Sequence, residues 1–347
     1  MSHTITNVGI EITNRCNLRC VHCYEGELKC NKSLTTEELV YLIDKVLPYN
    51  HGIFVLTGGE PFLNESINDI LDTLGTKYPN VYFKIASNGT LIDDNLLKKI
   101  EKYRNIHIQI SLDGFSKKIH ELQHGVETYK KVTDAIEKIS KFQGSKVSIL
   151  MSISKINYLE ATMVAEYARK LNVQVDFQFV CSIGKAKDNK ELLELTPYQK
   201  ASTFLKLNEY SNIHPEMGII APKTLLSCSF SLENIPFALN INIDGDIVTC
   251  SCFDSKFSIG NIYESSVEDI LNSPKIEEIH NRVIKRKEVL KKTVCQNCIV
   301  SFRCQQGCIG RAINLGDENG VDGECDFRRV LMLVNKFLKF KKDEQLR

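Results

Sequence analysis

The chain has little net charge, no long apolar run and no basic or hydrophobic leader. Lys and Arg number 44 against 43 Asp and Glu, a formal net charge of +1 at pH 7. No basic arm or face dominates, which removes the electrostatic case for nucleic acid as a partner. The first residues, MSHTITNVGIEIT, hold neither a basic n-region nor an apolar h-region, so they are no signal peptide. No stretch approaches the roughly 18 apolar residues that span a membrane, and there is no internal repeat or low-complexity segment. These absences place the expected site of action in the cytoplasm, away from membranes. What remains is 347 residues, 43% hydrophobic and 25% charged, enough for two domains with real cores.

Cysteine is plentiful. Thirteen cysteines, an odd number in a reducing compartment, argue for metal ligands or catalytic thiols rather than a disulfide framework.

Short β-branched runs at 8–13, 52–57, 81–87, 106–111, 146–153 and 173–180 alternate with helical patterns near 36–47, 65–77, 93–103, 128–142 and 158–171. The first helix opens on a capping box, Thr35 with Glu38. Repeated strand–helix–strand units predict a parallel α/β sheet, either doubly wound or an open barrel, with function at the C-terminal strand ends. After about residue 181 the pattern breaks. A helix near 197–211 follows, then a hairpin with an Asp-Gly turn in NINIDGDIVTC, then short cysteine-rich segments. An amphipathic helix, RRVLMLVNKFLKF, closes the chain, its apolar face packing on the protein rather than on a membrane.

Cys16, Cys20 and Cys23 stand four and three residues apart, just after the first strand. Their neighbours Asn14, Arg15, Asn17, Arg19 and His22 are poor company for a buried helical stripe. A structural zinc site takes four ligands, and only the distant Cys30 offers a fourth. Three thiolates can instead hold three corners of a [4Fe–4S] cluster and leave one iron open.

The C-x3-C-x2-C spacing resembles the signature of the radical S-adenosylmethionine (SAM) superfamily. The resemblance implies that the open iron binds SAM, whose cleavage yields a 5′-deoxyadenosyl radical, and that His22 lies near the adenine. Three further motifs match, each after a predicted strand. TGGEP (Gly58, Gly59, Glu60, Pro61) resembles the family's amino-group-binding motif. SNGT carries Ser87 and Asn88. SLDG carries Ser111 and Asp113, near the ribose or methionyl part in relatives. The resemblance covers roughly residues 8–180 and implies a partial (β/α)6 barrel. One departure is His124, in His120-Glu121-Leu122-Gln123-His124-Gly125, where many relatives place an Arg on the SAM carboxylate. His124 is then a weaker SAM contact or a plain surface histidine.

Farther on, Cys295-x2-Cys298-x5-Cys304-x3-Cys308 and Cys325 follow Cys228 and Gly245-x4-Cys250. A lone C-x2-C would favour zinc. The whole arrangement resembles the SPASM domain, which binds two auxiliary iron–sulfur clusters. By that match Cys228, Cys250 and Cys308 hold cluster I, and Cys295, Cys298, Cys304 and Cys325 hold cluster II. Cys252 is a candidate fourth ligand of cluster I, because residues i and i+2 of a strand share a face; alternatively that site is open to substrate. Cys181, ending the sixth strand, is a small buried hydrophobe or a hydrogen-atom donor to a substrate radical. Cys30 reads as a surface thiol. Sulfatase-maturing relatives carry an Asp after the cysteine matching Cys250; Ser251 stands there in this chain, so that activity is not expected.

The expected division is a barrel over 1–215 and a cluster-binding SPASM domain with the closing helix over 216–347. The expected function, from the resemblance, is a peptide-modifying radical SAM maturase forming thioether or C–C cross-links, epimerising, or decarboxylating oxidatively. A reductant such as flavodoxin or ferredoxin is implied. Seven residues precede the first strand, so a fused leader-peptide-binding domain is not expected at this end; a separate recognition protein or direct binding by the barrel would serve. The alternatives are a SPASM enzyme acting on a tetrapyrrole side chain or other small metabolite, and a non-catalytic iron–sulfur carrier or zinc-stapled scaffold.

Overall fold

A computed structural model of the chain describes residues 4–26, 31–144, 146–217, 228, 230, 236–304 and 306–334. The strands β1 (Thr4–Thr13), β2 (Asn50–Gly58), β3 (Phe83–Ser87), β4 (Ile106–Ser111), β5 (Val147–Ile153) and β6 (Gln174–Phe179) match the six expected runs to within a few residues. They pair in parallel and in simple chain order. A doubly wound sheet reverses its order at a switch point. A monotonic order winds one way only, and the partial barrel is the result.

The helices α1 (Thr36–Val46), α2 (Ile67–Lys77), α3 (Asp94–Lys102), α5 (Tyr129–Ile139) and α6 (Ala161–Leu171) follow the expected patterns, with α4 (Lys117–His124) an addition. The capping box of α1 is formed in full: Glu38 N–H donates to Thr35 Oγ1 at 3.2 Å, and Thr35 N–H to Glu38 Oε2 at 2.8 Å. Leu39, Leu42, Ile43 and Val46 then line one face of α1, all buried. Val8, Ile10 and Ile12 of β1 are likewise buried in the core. Side chains alternate across a strand, so Glu11 and Thr57 lie on the opposite, inner face. That face is polar. Gln109 Nε2 donates to Asp176 Oδ2 at 2.9 Å across it.

The sheet does not stop at β6 and β1. The strand β7 (Pro236–Ile241) pairs in parallel with β1, and β8 (Asp246–Val248) and β9 (Gly260–Asn261) extend it antiparallel, giving nine strands. The expected hairpin turn is present, with Gly245 at φ +88°. A helix over Pro274–Lys292 had no counterpart in the sequence reading. Residues 325–334 are helical, and the rest of the expected closing helix lies outside the described residues. No helix among the described residues is long and apolar enough to cross a membrane.

Candidate functional site

The loop carrying Cys16, Cys20 and Cys23 leaves the C-terminal end of β1 and is clamped from several sides. Glu60 N–H donates to Arg15 O at 2.7 Å, and Gly59 N–H to Thr13 O at 2.9 Å. Asn88 Nδ2 donates to Asn17 Oδ1 at 3.0 Å, tying in the loop after β3. Val21 N–H donates to Gln123 O at 3.0 Å, tying in α4, and Lys185 N–H to Cys23 O at 2.9 Å. All three cysteines are partly buried free thiols, and burial pushes their pKa values up.

The paired glycines of TGGEP have a cause the sequence reading did not give. A Cβ on Gly59 would meet Arg15 O at 2.2 Å and Cys16 Cβ at 3.0 Å; on Gly58, at φ +129°, it would meet Thr13 O at 2.0 Å. The glycines admit the cysteine loop. Pro61 opens a single 3-10 turn behind them. Glu60 is fully buried: its carboxylate accepts from Ser87 Oγ at 2.8 Å, Asn88 N–H at 2.7 Å and Phe62 N–H at 3.2 Å. Burial outweighs these donors and pushes its pKa up to about 7. Ser111 is half-buried at the end of β4.

Asp113 is wholly buried. Its Oδ2 meets His124 Nε2 at 2.7 Å and His22 Nε2 at 3.1 Å, and its Oδ1 accepts from Ser152 N–H at 2.7 Å. Burial alone would raise its pKa, but the two histidines outweigh it and hold the carboxyl well below the usual range. His124 is no surface histidine: it is 5% exposed, and its Nδ1 lies 3.3 Å from Cys20 Sγ. His120 stacks on it with ring centroids 4.5 Å apart. Burial holds the pKa of His120 down at about 3, so its ring is neutral.

Sequence reasoning missed Glu11 and Glu25. The two carboxyls are hydrogen-bonded to each other, and Glu11 Oε2 accepts from Ile243 N–H at 3.2 Å. Burial, then the neighbouring Glu25 charge, pushes Glu11 up to about 7, and burial also raises Glu25. The available signal was the acidic residue alternating with Val8, Ile10 and Ile12 in β1.

The later cysteines gather as two groups. Cys308 and Cys250 act electrostatically on Cys228, and Cys252 hydrogen-bonds toward both Cys250 and Cys308. Those bonds draw Cys308 down to about 6 and lower Cys250, while Cys252 is raised. Cys252 therefore joins this group, but not by sharing a strand face. The strand β8 ends at Val248, and the turn after it brings Cys252 N–H to 3.4 Å from Cys250 Sγ. Cys295, Cys298, Cys304 and Cys325 line one small pocket with Arg328 and Arg329. Cys181 lines a different pocket, with Lys200, Arg311 and Glu324, and burial raises its thiol. Cys30 lies outside the described residues.

The donor sets fit clusters better than single ions. A tetrahedral zinc with four thiolates needs sulfurs about 3.8 Å apart. Among the described residues, the only three potential ligands with atoms within 4.8 Å of one another are His22, Asp113 and His124. Charge also fits. Arg286 is 1% exposed, and its Nη2 has no hydrogen-bond partner among the described residues. Its cation acts first on Asp322 and then on Cys308 and Cys228, whose thiolates around iron would add compensating negative charge.

Comparison with known proteins agrees. Residues 10–168 match the model of the radical SAM superfamily, and residues 234–299 that of SPASM, an iron–sulfur cluster-binding domain. The antilisterial bacteriocin subtilosin biosynthesis protein AlbA of Bacillus subtilis is 27% identical over 300 residues, 80% of this chain but 64% of AlbA. The mycofactocin maturase MftC of Mycolicibacterium smegmatis is 26% identical over 91% of this chain and 81% of its own. Streptococcus suis SuiB, solved bound to its precursor peptide SuiA, has the same fold, with a TM-score of 0.72 at 14% identity over 93% of this chain and 76% of SuiB. The chain is a member of the radical SAM superfamily carrying a C-terminal SPASM iron–sulfur domain.

Proposed function

We propose that the chain cleaves SAM reductively and uses the resulting radical to modify a ribosomally synthesised peptide. The observation that carries the chemistry is the three-cysteine loop clamped at the strand ends, opening onto a polar barrel interior. Cys16, Cys20 and Cys23 would hold the SAM-binding cluster. Cys228, Cys250, Cys252 and Cys308 would hold one auxiliary cluster, and Cys295, Cys298, Cys304 and Cys325 the other. A cluster held there would supply one electron for the reductive cleavage of SAM to methionine and a 5′-deoxyadenosyl radical able to take a hydrogen atom from a substrate C–H bond.

The chain's own residues do the rest. Glu60 and the loops after β3 and β4 would orient SAM, and the polar inner face of the sheet would receive substrate. The likeness to AlbA, MftC and SuiB, the last solved with a precursor peptide, supports a peptide as that substrate; the reading further calls for a reductant such as flavodoxin or ferredoxin. The bond formed would be a cross-link, an epimerised centre or an oxidatively decarboxylated residue.

The test is 5′-deoxyadenosine release by reduced, anaerobically reconstituted protein given SAM, against a C16A/C20A/C23A control. Release that vanishes in the control supports the chemistry, and a mass change in a peptide encoded beside the gene supports the substrate class. Iron-loaded protein that releases none, with or without such peptides, overturns the reading.

A further inference from the structure

The cluster constellation around His22, Asp113, His120 and His124 draws on three separate motifs: the cysteine loop, SLDG and the HELQHG segment. In the structure these converge behind one cysteine. We infer that His124 is a positioning residue for the SAM-binding cluster, donating a hydrogen bond to Cys20 Sγ while Asp113 holds its ring. The inference rests on Cys20 being a cluster ligand, as proposed above.

Donor counting carries the argument. A cluster-bound Cys20 is a thiolate and has no proton to give, so the 3.3 Å contact is a hydrogen bond only if His124 Nδ1 donates. Asp113 Oδ2, 2.7 Å from Nε2, also requires a donor. Both ring nitrogens therefore face acceptors. The ring cannot turn away. His120 stacks on one face at 4.5 Å and 13°, His22 meets it edge-on at 5.2 Å, and His124 is 5% exposed. Asp113 is itself fixed by Ser152 N–H at 2.7 Å, and its own N–H donates to His120 Nδ1 at 3.2 Å.

Local structure supports the contact. His124 is the last residue of α4, which Gly125 ends at φ +106°. One residue earlier, Gln123 O accepts from Val21 N–H at 3.0 Å, so the end of α4 docks on the cysteine loop at two successive positions.

A hydrogen bond to a cluster sulfur withdraws electron density and favours the reduced state. Two amide variants separate the bonds, since the amide nitrogen of Asn replaces Nδ1 and that of Gln replaces Nε2. The experiment is an EPR-monitored redox titration of reconstituted His124→Asn, His124→Gln and wild type, following the reduced-cluster signal that changes on adding SAM. His124→Gln keeps the Asp113 bond and loses the donor to Cys20. Its midpoint should move negative, cutting the reduced fraction at a fixed potential at least about threefold. His124→Asn should stay closer to wild type than His124→Gln, the two variants being equally uncharged, even if both lose thermal stability. Iron-loaded variants with equal midpoints, shifted or not, overturn the inference. A wild-type protein with no SAM-responsive signal overturns instead the cluster reading beneath it.

Discussion

Glu324 joins two parts of the chain that lie far apart in sequence, and replacing it with glutamine tests how strongly. Lys200 Nζ, on the helix Pro197–Ile213, and Arg311 Nη2, on the helix Ile309–Asn314, both approach Glu324 Oε1, at 2.7 and 2.8 Å. The three side chains are 9%, 12% and 5% exposed, so solvent screens them little. At an effective dielectric constant of about 20, each pair attracts by about 6 kcal/mol before the desolvation cost. Glutamine keeps an acceptor and the shape but removes the charge, leaving two buried cations facing each other. Breaking buried pairs in this way costs about 3–5 kcal/mol, and E324Q should lose that much stability. Far-UV circular dichroism during anaerobic urea unfolding is the assay, because the chain has no tryptophan. Iron content should be matched, since Cys325 is adjacent. The K200M/E324Q double variant should recover part of the loss. A loss below about 1 kcal/mol in E324Q would mean that water reaches these charges, and the reasoning would fail.

Gly59→Ala forces Cβ against Arg15 O and should displace the cysteine loop; we expect loss of the SAM-responsive EPR signal while auxiliary-cluster iron remains. Gly310→Ala places a Cβ 2.6 Å from Cys252 Cβ and should lower iron per chain at the first auxiliary site, leaving the SAM-responsive signal. Glu11 binds its proton more tightly folded, at about 7, than unfolded, near 4.5. Its contribution to stability is therefore full below the unfolded value and is lost as pH rises toward and through 7. Glu11→Gln should flatten that part of the stability–pH curve in urea unfolding; an unchanged slope would refute the shared proton. Arg286→Met removes a buried cation whose Nη2 lacks a partner among the described residues. Without clusters it should be neutral or stabilising, and with them destabilising, as read by thermal unfolding of each form.

Where the sequence reading fell short, the cause is traceable. The helix Pro274–Lys292 buries Ile276, Ile279, Val283 and Leu290, but Arg286 interrupts that stripe and hides its period. The short α4 buries His120, Gln123 and His124, which no hydropathy pattern assigns to a core. Cys252 was reachable by spacing alone, though through a turn rather than a strand face. Glu11 was visible as the odd residue of β1, but nothing local announces that Glu25 stands beside it.

The sequence by itself determined the six parallel strands, the helices between them and the ligand types at the strand ends. Those features are local: alternation, capping and close cysteine spacing act within a few residues, and a single string records them. Tertiary structure decided what distant segments do to one another. It added β7 to the free edge of β1, set Lys200 and Arg311 on Glu324, and turned His124 from an expected ligand contact into the neighbour of Cys20. Each of these depends on the burial of a hydrogen bond or charge between residues far apart in the chain, and burial exists only once the chain has folded.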